Sequence, residues 1–503
     1  MMSILNATIS AGLALVVYAI VRLLLSPSHL RHIPTVGGPS LPLLSFLGVY
    51  SYYFRHRETL QKGYNKYRGG CFKVALVDRW LVVITGKKLV DEVSSQRDEQ
   101  MSMLHGEADL LGILHVFGMP VWDPPYHVHL IRSTLTRHIA GLLGDVNDEI
   151  ATSFNDLLPS DCNEWVSVRA TEVMREIIVR ASGRAFVGHP ICRNRTYIDI
   201  AMNLGNDGSR MRKYLAVIPA FLKPSFARYM NSIDERIVQS RTVVEQLILD
   251  RITALKEHGK AEYPNKPSDM LMWIIEEAVE RGQSVETIIR NLLFIVFASV
   301  HTSSNVFTQA LYYIAADPCI ADTLRAEAEH VVQQDGWTKT AISKMRKMDS
   351  IFKESTRHSG IHTSTPTRKV MTPMYLSDGT YLPSDTIVIT PMVPTHHDEE
   401  NYTDPWTFDP WRFEKLRDAD ETGLKHQFVT TSSSFLVFGH GKQACPGRFF
   451  AANELKMMMA HLVLNYDVKF EKEGVRPDDR HAIMGISPDP DVAVLFRKRK
   501  TEL

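Results

Sequence analysis

The sequence has no excess charge of either sign: 57 Lys and Arg balance 57 Asp and Glu over 503 residues. That balance provides no basic footprint for a polyanion, so nucleic acid is not an expected partner. Cysteine is scarce and odd in number (Cys71, Cys162, Cys192, Cys319 and Cys445), and no C-x-x-C occurs. Such spacing argues against a disulfide framework and a cysteine zinc site, and for a reducing compartment. Internal repeats and low-complexity tracts are missing. Charge is absent altogether from Met1 to Val21. No basic stretch precedes this apolar run and no small-x-small site follows it, which argues against a cleaved signal peptide.

What is there begins with that run. Ile4 to Leu25 is long enough, about 33 Å as a helix, to cross a hydrocarbon core. Arg22, His29, Arg31 and His32 sit at its C-terminal end, a flank that favours leaving the rest of the chain in the cytoplasm. Residues 1–25 therefore read as a single membrane anchor. "SPSHLRHIPTVGGPSLP" comes next, four prolines and a Gly-Gly pair, and residues 26–45 read as a stiff hinge that cannot pack. Residues 46–503 read as one large domain, mainly α with a minor β region. "CFKVALVDRWLVVITG" predicts a hairpin around Val77-Asp78-Arg79. A helix of more than 30 residues is predicted from an N-cap at Ser284 to a stop at Asp317-Pro318, apolar on nearly every face and so buried. Further helices are predicted over 320–334, about 342–358, and from just after Cys445 to about Asn465.

Chemistry concentrates in "FGHGKQACPGRFFAANELK", Phe438 to Lys456. Cys445 stands at the start of the final helix, where unpaired N–H groups and a partial positive charge stabilise a thiolate. Gly439, Gly441 and Gly447 let the backbone approach a bulky flat partner. By position alone such a thiolate is a nucleophile or an axial metal ligand, with a buried core thiol as the bland alternative.

The stretch resembles the haem-binding signature of the cytochromes P450, F-x-x-G-x-[R/H]-x-C-x-G, with Phe438, Gly441, Cys445 and Gly447 in register. Gln443 departs from it, standing where an arginine or histidine contacts a haem propionate. Other marks follow the family's order. "KESTR" supplies E-x-x-R as Glu354 and Arg357, and "FDPWRF" supplies Pro410, Arg412 and Phe413. The resemblance implies a buried network of Glu354, Arg357 and Arg412, read as fixing geometry more than adding stability. It implies that Arg368 in "PTRKV" and Arg132 in "YHVHLIRSTL" bind propionates, although Val128 replaces the usual aromatic before Arg132. On the long helix "FASVHTSS" stands for A/G-G-x-D/E-T-T: Thr302 keeps the hydroxyl that passes a proton, His301 replaces the acid and Ser299 the glycine.

The resemblance covers nearly the whole chain and implies a haem-thiolate monooxygenase. Cys445 is then the axial ligand of haem b, and one oxygen atom from O2 enters a lipophilic small molecule. Electrons would come from NADPH through a separate NADPH-cytochrome P450 reductase docked on the Cys445 side, where Lys442, Arg448 and Lys456 are candidate contacts. The implied location is the endoplasmic reticulum membrane. His-Thr at 301–302 is similar to fungal members of gibberellin and indole-diterpene pathways, which points to a terpenoid. Ala298, Thr302, Ser364, Thr365, Pro366 and Ile486 are positional candidates for substrate contact, and Met101 to Met119 for a lid. Two alternatives stay open: the same fold as an isomerase, dehydratase or peroxide-dependent enzyme, and a haem-binding protein without turnover.

Overall fold

The computed structural model describes residues 30–41, 44–118, 125–161, 163–218, 222–420, 423–482 and 485–500, together with residue 17. Residue 17 apart, the expected anchor lies outside the described residues. Five strands form the larger sheet: β1 (Cys71–Ala75), β2 (Trp80–Ile84), β3 (Met101–Ser102), β4 (Ser364–Val370) and β5 (Ile387–Pro391), in the order β1-β2-β5-β4-β3. The predicted hairpin is β1–β2, antiparallel with Cys71 opposite Ile84, its turn closed by the Leu76 N–H donating to the Arg79 carbonyl at 2.8 Å. β2 runs parallel to β5, and all fifteen residues of β1, β2 and β5 are buried, because both sheet faces are covered.

The Pro/Gly segment departs from its reading as unable to pack. Leu30, Ile33 and Val36 are buried. The Lys73 N–H donates to the Pro34 carbonyl at 2.8 Å and the Val36 N–H to the Lys73 carbonyl at 3.0 Å. Proline holds the chain extended, and an extended chain can lie along the open edge of β1.

Six helices position the site: α1 (Met103–Leu111), α2 (Ala170–Phe186), α3 (Arg195–Val217), α4 (Val285–Ala316), α5 (Arg346–His358) and α6 (Arg448–Asn465). α4 begins and ends where its caps predict. Ser284 Oγ accepts the Thr287 N–H at 3.2 Å, and Asp317 with Pro318 closes it while capping the next helix through the Cys319 N–H at 3.0 Å. Among the described residues α4 alone is long and apolar enough to cross a bilayer. Here it is the central core helix, packed on α2, α3, α5 and α6. The helix expected over 342–358 is two, Lys339–Lys344 and α5, because Met345 takes a non-helical conformation (φ −72°, ψ 76°) and caps one while starting the other. Tyr126–His129, Leu130–Leu135 and Thr136–Leu157 form one continuous helix whose middle turn is π-helical, with Arg132 in that turn.

Candidate active site

Two glycines shape the loop before α6. Gly439 (φ +67°) and Gly441 (φ +74°) occupy the left-handed region. A Cβ on Gly441 would in addition collide with the Ser94 carbonyl. The loop closes on itself through the Cys445 N–H, which donates to the Phe438 carbonyl at 2.8 Å. Burial pushes the Cys445 thiol up, against the pull of the Gly447 and Arg448 N–H groups, which donate toward its sulfur, and of the Arg448 charge. The helix N-terminus thus favours the thiolate, and the surrounding apolar atoms oppose it unless the sulfur gains a cationic partner.

Cys445 opens into a cavity of about 370 Å³. Phe438, Gly439, Pro446 and Gly447 line it beside the sulfur, and Ala298, Ser299, Thr302, Ser303 and Val306 present one face of α4. Ile361, His362, Ser364, Thr365 and Thr367 come from β4 and its approach, with Ile131, Leu135, Phe186 and Phe450 filling between. Thr302 Oγ1 donates to the Ala298 carbonyl at 2.8 Å. This is the hydroxyl back-bonding expected of a Thr in an apolar helix, and α4 continues through it unbroken. Of the positional substrate candidates, Ala298, Thr302, Ser364 and Thr365 face this cavity. Ile486 is not among the lining residues; it is buried beside Gly360, and its carbonyl accepts from Asn305 Nδ2 at 2.7 Å.

Several expected roles fall elsewhere. His301 does not line the cavity; its ring packs over Gly205 of α3, and burial, with Arg175 and Arg212 nearby, holds its pKa down to about 4. Gln443 turns away too: Oε1 accepts the Met103 N–H at 2.6 Å and Nε2 donates to the Met101 carbonyl at 2.8 Å. It ties the cysteine loop to β3 and the start of α1, and so does the work of a backbone clamp. Arg132 is exposed. Among the three basic residues expected at a docking face only Lys442 is exposed. Arg448 turns inward to the Cys445 and Val429 carbonyls at 2.7 and 3.1 Å, and Lys456 is buried against the Ile342 carbonyl at 2.9 Å. Both sit where helix α6 packs on its neighbours, so their cations serve the interior.

Arg368 is fully buried on β4. Its Nη1 donates to the Thr367 carbonyl at 2.9 Å and its Nη2 to the His440 carbonyl at 3.3 Å, while Nε has no partner. Burial pushes this guanidinium down to about 10. Glu107 on α1 and Arg212 on α3 add an ionisable pair to the cavity wall that the sequence did not single out. Burial pushes the Glu107 carboxyl up, against a Thr367 hydrogen bond and the Arg368 and Arg212 charges. Their signal was weak: Glu107 stood within the stretch read as a lid, and Arg212 within "SRMRKY", which reads as surface.

The E-x-x-R element assembles with the downstream arginine. Arg357 Nε donates to Glu354 Oε2 at 2.7 Å and Nη2 to Oε1 at 2.8 Å, both side chains fully buried. Arg412 Nε reaches Glu354 Oε1 at 3.1 Å, as does the Asp409 N–H. Arg357 also donates to the His396 and Pro405 carbonyls at 2.8 and 2.7 Å. The network staples α5 to the irregular stretch that leads to the cysteine loop.

A helical domain with a thiol and a helix-borne threonine facing one apolar cavity, behind a buried Glu-Arg-Arg network, is the architecture of a haem-thiolate oxidoreductase. The family model of cytochrome P450 matches residues 37–495. Cytochrome P450 monooxygenase 151 of Postia placenta is 41% identical over 474 residues, covering 94% of this chain and 95% of that protein. Cytochrome P450 monooxygenase CYP512U6 of Ganoderma lucidum is 34% identical, covering 93% and 92%, and cytochrome P450 monooxygenase olcJ of Penicillium canescens 32%, covering 88% and 84%. The chain belongs to the cytochrome P450 family and is an oxidoreductase of that type.

The family implies a haem, a redox partner and a small-molecule substrate. The residues present fit such a group. Arg368 is a buried cation with an unpaired Nε and no carboxylate bonded to it among the described residues, which suits an acidic substituent. The Cys445 sulfur faces open space with glycine backbone beside it.

Proposed function

We propose that this protein is a membrane-anchored monooxygenase that inserts one oxygen atom from O2 into a lipophilic small molecule of the terpenoid class. Residues 1–25 would anchor it in the endoplasmic reticulum membrane, 26–45 would join the anchor to the catalytic domain, and 46–503 would form that domain. Electrons would pass from NADPH through a separate NADPH-cytochrome P450 reductase.

Cys445 would ligate the iron of haem b, with Phe438, Gly441 and Gly447 shaping the loop that presents the sulfur. When bound, the haem supplies dioxygen activation, which a thiolate ligand promotes by favouring O–O cleavage. With the iron as the sulfur's cationic partner, the Gly447 and Arg448 N–H groups would help to hold it as a thiolate. Arg368, and Arg132 after reorientation from its exposed position, would pair the propionates, while Gln443 holds the loop from the side. Thr302 keeps a hydroxyl at the cavity wall, able to exchange its bond to the Ala298 carbonyl for one to a reacting group. The apolar residues of α4 and Phe186, Phe450 and Val437 exclude bulk water and accommodate a hydrocarbon skeleton. Glu107, Arg212 and His362 offer the few polar contacts that would orient it.

The observation that carries this reading is that Cys445 and Thr302, 143 residues apart in the chain, line the same apolar cavity. The test is turnover of a terpenoid panel by the full-length protein with reductase, NADPH and isotopically labelled O2. One labelled oxygen per product supports the proposal. Product formed without NADPH or O2 would replace it with an isomerase or dehydratase reading.

A further inference from the structure

A second cavity, of about 600 Å³, shares only Arg212 with the wall of the catalytic one. Its charge is unbalanced: Arg55, Arg57, Arg79, Arg212, Lys213 and Lys223 line it against three carboxylates, Glu58, Asp78 and Asp109. Two of those carboxylates are already engaged. Asp78 accepts from Lys223 at 2.8 Å and from Arg79 at 3.3 Å, and Asp109 accepts from Arg79 at 3.2 Å and from Lys369 at 2.9 Å. Arg55 and Lys213 are exposed and enter no ion pair among the described residues. Two buried polar atoms of the same wall also have no hydrogen-bond partner: the hydroxyl of Tyr52, a residue with no exposed surface, and Nε2 of His56, a residue 7% exposed. Buried groups of this kind are ordinarily satisfied, by the protein or by a bound molecule. The surroundings are apolar instead. Phe54 and Lys223, both in the cavity wall, belong to helices that expose apolar side chains: Phe46, Leu47, Tyr50 and Phe54 along one face of Phe46–Phe54, and Tyr229 and Met230 on Lys223–Met230, with Leu222 just before it.

We propose that this cavity binds the phosphate of an anionic phospholipid, whose acyl chains lie in the bilayer against the exposed aromatic side chains. The inference rests on the membrane-anchored reading above. Lys73 Nζ donates to the Leu30 carbonyl at 2.5 Å, so the chain enters the domain beside β1, and helix Phe46–Phe54 packs on β1 as well. In the sequence only Ser26 to His29 separate Leu30 from the apolar run read as the anchor. Arg55 and Lys213 supply charge to the phosphate, and the Tyr52 hydroxyl and the His56 imidazole supply hydrogen bonds. Burial lowers His56, helped by the charges of His481 and Arg57, so at neutral pH the ring is uncharged and its Nε2 can carry the donated proton. The surplus of cations selects an anionic headgroup over one that bears its own ammonium. The volume lies in the range that takes a drug-sized molecule, enough for a headgroup with its glycerol. A free phosphate would satisfy the charges but leave the apolar side chains in water, which is why a lipid is the occupant the surface fits.

The test is amide hydrogen exchange of the full-length holoprotein in nanodiscs of phosphatidylcholine alone and of phosphatidylcholine with a minority of phosphatidylserine. Phosphatidylserine should slow exchange over residues 52–58 and 222–230 by about ten-fold, the scale expected of two basic side chains at a lipid phosphate. Arg55→Gln/Lys213→Gln should abolish that slowing. Tyr52→Phe leaves every charge in place and should still lose about three-fold of it, because a bound phosphate needs the hydroxyl and a merely attracted surface does not. Equal protection in both discs, or Tyr52→Phe indistinguishable from wild type, would overturn the site. Inorganic phosphate giving the same protection in phosphatidylcholine discs would overturn the lipid as its occupant. A protein that fails to enter the discs would instead overturn the anchored reading, and dihexanoyl phosphatidylserine in solution would then decide the site by the same exchange measurement and variants.

Discussion

Replacing Glu354 by glutamine removes one charge from a site where every neighbour was built around it. The carboxylate receives Arg357 Nε and Nη2, Arg412 Nε and the Asp409 N–H, all within 3.1 Å. A glutamine amide keeps one acceptor oxygen but turns its NH2 toward guanidinium N–H groups, donor against donor. Arg357 is left fully buried with no countercharge, held only by carbonyls of His396, Pro405 and Thr407. Stranding a buried charge in this way costs about 3–5 kcal/mol, or roughly two to three and a half orders of magnitude in the folding equilibrium. Urea unfolding of the full-length protein, followed by far-UV circular dichroism and haem absorbance together, measures the loss. The double variant Glu354→Gln/Arg357→Met should recover part of it, because the stranded charge is gone and the methylenes still fill the space. Glu354→Gln within about 1 kcal/mol of wild type, or a double variant as unstable as the two single losses added, would refute the reasoning.

Other predictions follow from single contacts. Gln443→Ala strands the Met103 N–H and the Met101 carbonyl and should cost about 1–3 kcal/mol in urea unfolding; Gln443→Glu, which loses only the donor half, should lie between, and equal stability of all three would remove its clamp role. Gly441→Ala should cost more than the about 1–2 kcal/mol of a left-handed alanine, since its Cβ also meets the Ser94 carbonyl; a protein that binds haem with unchanged stability would contradict this. Burial holds His127, His301 and His461 to about 4 and His397 to about 3. These groups are lowered on folding, so the stability is present above 6.5 and is lost as pH falls toward 4, by up to about 1.4 kcal/mol per pH unit for each. Glu454, raised from 4.5 to about 8, works in the opposite direction as a single site. Urea midpoints should therefore drop steeply from pH 6.5 to 5, and a flat profile would show these histidines exposed.

The parts of the fold that were legible in the sequence are those whose signals are local. Ser284 and Asp317-Pro318 cap α4 within a few residues of themselves, and the turn around Asp78 closes on its own neighbours. The motif residues Cys445 and Thr302 and the positional candidates Ser364 and Thr365 line one cavity, and Glu354, Arg357 and Arg412 form one network. The remainder depends on where a side chain turns, which a motif position does not state. Gln443 and His301 stand at motif positions, but their partners, Met101, Met103 and Gly205, lie far away in the chain. Arg448 and Lys456 read as surface cations because nothing local reveals that Lys456 is buried and that the half-buried Arg448 turns to the Cys445 and Val429 carbonyls. The break at Met345 carries no Gly or Pro to announce it. Glu454 looked like an ordinary helical glutamate in "AANELK", and only packing against α2 makes it a buried acid.

The most direct test of the account is the reduced, carbon-monoxide difference spectrum of the full-length protein beside that of Cys445→Ala. The account predicts the strongly red-shifted Soret band of a thiolate-ligated haem in the wild type and its absence in the variant. A wild type that binds no haem, or a band that survives removal of Cys445, would contradict it and return Cys445 to the role of a core thiol.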